Sequence, residues 1–216
     1  YLNVLKKTEN ENTAKKTKTT KTIHGIEKQT TKETADQIQQ GIAKEILRFH
    51  VLANSDSEED QKLKLEVKDR LVDYMKDILD GAEDVKETKK RITENRETIC
   101  LVAEQEIQKQ GYTYPVSVNL EKCYFPMKTY GDCTFPAGTY EALRVCIGKA
   151  KGRNWWCVLY PGLCFADSVN VIVPDEKKQE LKNILTEEEY ESLFDWREDD
   201  YQIRSGFLRL WRKLFA

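Results

Sequence analysis

The hydrophobic period changes once along this chain, and that change sets the class of fold it can adopt. From Leu63, apolar residues recur at Val67, Leu71, Met75 and Ile78, one stripe of an amphipathic helix. Ser57 precedes the stripe as an N-cap, and Glu58, Glu59 and Asp60 set negative charge at the positive end of the helix dipole. Gly81 closes the helix as a C-cap. Val85, Ile92, Ile99, Val102 and Ile107 predict a second helix over 85–110, ended by Gly111. The connection is short, so the two helices are antiparallel neighbours. Beyond Gly111 the period is two: Val116, Val118 and Leu120, then Leu143, Val145 and Ile147, then Trp155, Cys157 and Leu159. Each set predicts a strand. Gly148–Gly152 between the last two reads as a hairpin loop.

Upstream, Ile46–Ala53 is an apolar, β-branched and aromatic run bounded by Asn54-Ser55, which fits a buried strand. A short helix over 36–44 precedes it, from the spacing of Ile38 and Ile42. The fold class expected is α+β: one strand and a two-helix hairpin packed on an antiparallel β-sheet, with additional C-terminal helices. Thr186 and Glu189 form a capping box ahead of Tyr190, Leu193 and Phe194.

Three regions follow. Residues 1–35 read as a disordered, basic, Thr- and Lys-rich tether with too little apolar area to offset ordering entropy. Residues 36–165 form the α+β domain, and 166–216 a C-terminal helical extension. That extension ends in a basic amphipathic helix, with Phe207, Leu210, Trp211, Leu214 and Phe215 opposite Arg209, Arg212 and Lys213. Its apolar face either docks on the domain, the reading preferred here, or makes peripheral contact with an anionic membrane. The chain starts at Tyr1, and Tyr1–Leu5 reads either as the stub of a longer apolar segment or as an arbitrary starting point.

Charge excludes one function class. The 35 basic and 37 acidic residues leave a net charge of −2, so no nucleic-acid partner is expected. No G-x-G-x-x-G, Walker A or G-x-S-x-G motif is present, and no cofactor or small-molecule substrate is expected. The six cysteines include no C-x-x-C pair and there are only two histidines, so no metal site is expected. Cys157 and Cys164 flank Pro161-Gly162, and a turn there brings the sulfurs close enough for a disulfide or leaves both as free buried thiols. One catalytic arrangement is open on residue type: Cys157 as nucleophile, His50 as base and Asp56 as orienter. The alternative for His50 is a packed residue on an apolar strand.

The segment 111–165 holds 11 of the 21 aromatic residues and five of the six cysteines. Trp155 and Trp156 point to opposite sheet faces if they share a strand. Tyr124–Gly138 reads as a long structured loop beside them. The candidate partner-binding residues are therefore Tyr124, Phe125, Tyr130, Trp155 and Trp156, rigid aromatics beside an unusual loop.

Several segments together resemble the stage II sporulation protein R family of spore-forming bacteria. They are Arg48–Ser57 (RFHVLANSDS) with Glu59-Asp60-Gln61, Leu63–Arg70 (LKLEVKDR), Tyr124–Gly131 (YFPMKTYG), Pro136–Val145 (PAGTYEALRV) and Gly152–Pro161 (GRNWWCVLYP) running into Leu163-Cys164-Phe165. The resemblance covers about 45–165. Gly162 departs from it, where the family usually has a second proline. The resemblance implies a secreted signalling protein, not an enzyme, made in the forespore and exported into the space between the septal membranes. A signal or anchor would then lie outside this sequence. The implied partner is a membrane-bound aspartic protease of the mother cell, which cleaves the pro-sequence from the early mother-cell sigma factor. Two rivals stand beside it: a cysteine-dependent cell-wall hydrolase using Cys157 and His50, and a passive envelope-binding module.

Overall fold

Leu47–Leu52 forms β1, and all six of its side chains are buried. A strand with no solvent face belongs inside a sheet, and the computed structural model, which describes residues 34–165 and 172–194, places it there. The elements in order are α1 (34–45), β1, α2 (Glu58–Leu79), α3 (Val85–Glu94), α4 (Arg96–Lys109), β2 (Val116–Phe125), β3 (Lys128–Tyr130), β4 (Cys133–Phe135), β5 (Gly138–Ile147), β6 (Asn154–Tyr160), a 3-10 turn (Leu163–Phe165), α5 (Asp175–Ile184) and α6 (Glu187–Ser192). The fold is α+β, and its four-stranded sheet runs in the order β2-β5-β1-β6. Only β1 and β5 are parallel; the other two pairings are antiparallel.

The central place of β1 corrects the hairpin expected between the last two strands. β5 and β6 do not pair; residues 148–153 cross over the end of β1 instead. The crossing spans about 10 Å, twice the spacing between strands. Its backbone groups are satisfied by the residues after β1. Asn54 Oδ1 accepts from the Lys149 N–H at 2.9 Å, Asp56 Oδ1 from the Arg153 N–H at 2.7 Å, and the Ala53 carbonyl from the Gly152 N–H at 2.9 Å. Gly152 lies so close that a Cβ there would collide with the Ser55 carbonyl.

The same short segment starts α2. Ser57 Oγ accepts from the Asp60 N–H at 3.2 Å, while the Asp60 carboxylate accepts from Asn54 Nδ2 at 2.8 Å and from Ser55 Oγ at 2.5 Å. The Asn54–Asp60 stretch is thus structural, joining strand, crossover and helix start.

α2 lays Leu63, Val67, Leu71, Met75 and Leu79 on one face of the sheet. They meet Leu47, Phe49 and Val51 of β1, Leu143, Val145 and Ile147 of β5, and Ile99, Val102, Ala103 and Ile107 of α4. The single helix expected over 85–110 is two, broken at Asn95 (φ −102°, ψ 8°). The Asn95 side chain donates to the Arg91 carbonyl at 2.8 Å and accepts from Tyr74 OH at 3.3 Å. That local bonding competes with the helical backbone.

The expected loop over 124–138 is also different. β2 runs through Phe125, and β3 and β4 form a small hairpin turning at Gly131-Asp132. Gly131 has φ +58° at the first turn position, which glycine adopts without steric cost. The capping box at Thr186 and Glu189 starts α6 as expected. The basic amphipathic helix at 206–215 and nearly all of the tether, with His24, lie outside the described residues.

Candidate functional site

Alternation along β1 sends Leu47, Phe49 and Val51 to the helices and Arg48, His50 and Leu52 to the opposite face. His50 lies across from Arg144 of β5 and Trp156 of β6, and Arg48 across from Ala142 and Val158. On β2, Asn119 and Glu121 pair with Arg144 and Ala142, so the same face continues to Phe125 at the strand end. The β3–β4 hairpin folds over that end.

Arg48 is the center of the arrangement. Its guanidinium carbon lies 4.6 Å from the Phe125 ring centroid, 5.2 Å from Phe135, 5.2 Å from Tyr140 and 5.6 Å from Tyr130. The residue has no solvent exposure. Nη2 donates to Tyr130 OH at 3.0 Å, while Nε and Nη1 have no partner. Among the described residues, the groups that raise its pKa are Tyr130, Tyr140 and Cys133, and none is a carboxylate. Burial lowers the pKa of Arg48 and raises that of the Tyr130 phenol. The Cys133 thiol beside them is pushed up to about 12, chiefly by burial. A buried cation without a counter-ion costs several kcal/mol, of order 3–5 when a pair is broken. Cation–π contacts offset part of this, about 2 kcal/mol for a desolvated contact.

His50 extends the site. Its ring stacks on Trp156 (centroids 4.9 Å, 14° between planes) and tilts against Phe125 at 5.3 Å. Neither ring nitrogen has a partner. Burial, with Arg144 second, lowers its pKa to about 4. At neutral pH it is an uncharged imidazole.

The hairpin that covers Arg48 is tied to the C-terminal helices. Thr134 N–H donates to the Leu193 carbonyl at 2.7 Å. The Asp132 carboxylate accepts from the Val173 N–H at 2.9 Å and from Lys178 Nζ at 2.6 Å.

The five aromatic residues expected to bind a partner do not form one surface. Phe125 is fully buried, which corrects its assignment as a contact residue; it is a wall of the Arg48 cage. Tyr130 is half-buried with its hydroxyl engaged by Arg48. Trp155 faces the helices, edge-on to Phe49 at 5.6 Å, with Lys68 Nζ 5.2 Å above it. Trp156 faces the other way, so the two rings do point to opposite sides. Tyr124, 67 % exposed, is the one of the five whose side chain is mostly in solvent.

The catalytic arrangement is not assembled. Cys157 is bonded to Cys164, with 5.6 Å between their Cα atoms. It opposes Phe49 on the helix side, while His50 lies on the other face. Asp56 is held by Arg153. Among the described residues, no group of three His, Cys, Asp or Glu side chains is placed to hold a metal. A cleft of about 530 Å³ between α2, α5 and the turn after β6, lined by Gly81, Tyr160, Phe165 and Lys177, contains none of the cage residues.

The disulfide closes a short loop after β6, and its removal has a predictable cost. Replacing both Cys157 and Cys164 by serine is expected to lower the unfolding free energy by about 2.5 kcal/mol, from the loop entropy returned to the unfolded chain. Urea denaturation of the oxidised parent and the double variant checks this; equal midpoints would contradict it.

The cage gathers residues far apart in the chain. Arg48 and His50, Phe125 and Tyr130, Tyr140, and Trp156 come from four of the segments that carry the resemblance noted above. Sequence reasoning missed Arg48, Phe135 and Tyr140 as site residues. The available signal was the pair Arg48 and His50, two apart in an otherwise apolar strand and therefore on one face.

Three comparisons with known proteins bear on this. A family model described as stage II sporulation protein R matches residues 43–170. The stage II sporulation protein R of Bacillus subtilis (strain 168) is 33 % identical over 174 residues, 78 % of this chain and 76 % of that protein. No solved structure matches.

Proposed function

Since the chain belongs to the stage II sporulation protein R family, we propose that it acts in sporulation as an exported signal that switches on a protease. In this reading the chain crosses the forespore membrane into the space between the septal membranes. There it binds a membrane-embedded aspartic protease of the mother cell. The protease then removes the pro-sequence of the early mother-cell sigma factor. Family membership is the observation that carries the reading. The Cys157–Cys164 bond supports it, because disulfides persist in oxidising compartments outside the cytoplasm.

An activator needs no chemistry of its own. It needs higher affinity for the active state of its target than for the inactive one, and about 5.5 kcal/mol of difference converts a 1:99 population to 99:1. Two patches are assigned to that contact, Tyr124 near the end of β2 and Trp156 on β6, each an aromatic side chain on a rigid strand. The test is binding of the purified chain to the detergent-solubilised protease. Tight binding is expected, weakened tenfold or more by Tyr124→Ala or Trp156→Ala with the fold kept. Unchanged affinity in both variants would remove these patches from the account, and no binding by the parent chain would remove the partner.

A further inference from the structure

Arg48 and His50 stand two residues apart on β1 and share Phe125 as a wall. Arg48 is fully buried, yet Nε and Nη1 donate to nothing, and both ring nitrogens of His50 are without a partner. Glu121, the acid whose charge reaches His50, is bonded to Arg144 at 2.7 Å. Half of an ion pair is therefore enclosed in aromatic walls, with no described residue supplying the other half. Nε–H and Nη1–H lie on different edges of the guanidinium, each edge completed by one Nη2 hydrogen; Tyr130 OH takes one of these, so the other edge offers a fork to a planar anion. With His50 neutral near pH 7, the enclosed charge is that of the single guanidinium, which suits one negative charge rather than a phosphate dianion.

We infer that Arg48 and His50 form a recessed binding site for a carboxylate supplied by a partner protein, with the β3–β4 hairpin as its cover. The hairpin meets the guanidinium through Tyr130 OH at Nη2 and through the rings of Tyr130 and Phe135, and its polar ties to other elements include Val173, Lys178 and Leu193. A shift of the hairpin with those C-terminal elements opens the site without breaking the main sheet. The carboxylate then takes one edge of the guanidinium, through Nε or Nη1 together with the Nη2 hydrogen that Tyr130 does not use, while a His50 N–H donates to its second oxygen. The biological meaning of the site rests on the activator reading; the site itself does not.

The test is a titration of the full chain at pH 7, following the Arg48 Nε–H and the His50 ring nitrogens by ¹⁵N NMR. The probes are acetate, N-acetylglycine for a chain-terminal carboxylate, and N-acetylaspartate diamide blocked at the backbone for a side-chain carboxylate. Saturable shifts are expected with acetate and with at least one of the other two, and the stronger of these identifies the source. Binding should fall at least tenfold in Arg48→Met, and less in Arg48→Lys, which keeps the charge and loses the fork. Equal concentrations of chloride should give no saturable shift. Shifts that rise linearly without saturating, or that persist unchanged in Arg48→Met, would overturn the inference. Should Arg48→Met fail to fold, as judged by its indole resonances, the parent titration against chloride decides alone. Its failure would leave the protease reading standing, and failure of protease activation would leave the site intact.

Discussion

Arg48→Met is expected to make the protein more stable, by about 1–4 kcal/mol, the range seen when buried ion clusters are replaced by apolar residues of similar volume. The cation lies at zero exposure with two donors unused. Methionine fills a similar volume among Phe125, Phe135 and Tyr140 and needs no counter-ion. What is lost is one hydrogen bond to Tyr130 and the cation–π contacts, both smaller than the desolvation removed. The same variant is expected to lose signalling. A gain in stability joined to a loss of activity is the mark of a residue retained for recognition rather than for folding. Denaturant midpoints and an activity assay on the same preparation check it. A variant more than 1 kcal/mol less stable than the parent would show that the cation is structurally satisfied.

The second large effect is a dependence on pH. His50 titrates near pH 4 in the fold, against about 6.5 in an unfolded chain. Between these values the unfolded chain carries a proton on this residue that the folded protein does not. Folding stability is therefore full above pH 6.5 and falls as the pH drops toward 4, by about 3 kcal/mol in all. Below pH 4 this contribution no longer changes. Arg144, Glu121 and Arg48 are the charged groups acting on His50, and burial outweighs them. His50→Phe keeps an aromatic ring between Trp156 and Phe125 and should flatten the slope across pH 4–6.5. Carboxylates such as Asp60 and Asp132, held below their usual range by hydrogen bonds, contribute at lower pH and do not distinguish parent from variant. Parallel stability–pH curves for the two proteins would contradict the assignment.

The elements on the helix side were legible because one rule governs them. Leu63, Val67, Leu71 and Met75 have a single apolar neighbourhood, and their spacing states it. Ser57, Thr186 and Glu189 announce helix starts through local bonds that any four residues can make. The crossover at 148–153 was not legible, because a glycine-rich loop between two period-two strands looks the same whether the strands pair or a third lies between them. What decides it is the all-buried pattern of β1 and the bonds from Asn54 and Asp56, contacts more than ninety residues apart. The break at Asn95 escaped because the apolar spacing continues across it. The strands β3 and β4 escaped because three residues carry no usable period.

The candidate site was half legible. The sequence names the aromatic segments but not the direction in which their side chains point. An aromatic residue next to a loop reads as surface, whereas Phe125 and Tyr130 turn inward around Arg48. An arginine in a strand of sequence LRFHVL is the most informative single residue of the chain, since only a special environment keeps it buried.

The central claim is that this chain, outside the cytoplasm, activates a membrane-embedded protease. The most direct measurement is reconstitution in a non-sporulating bacterium that expresses the chain with a signal peptide, the aspartic protease and its pro-sigma substrate. Immunoblots follow the length of the substrate. The account predicts shortening when the chain is exported, and none when the signal peptide is omitted or when an inactive protease is used. Full-length substrate in the presence of all three proteins, folded and correctly located, would contradict it.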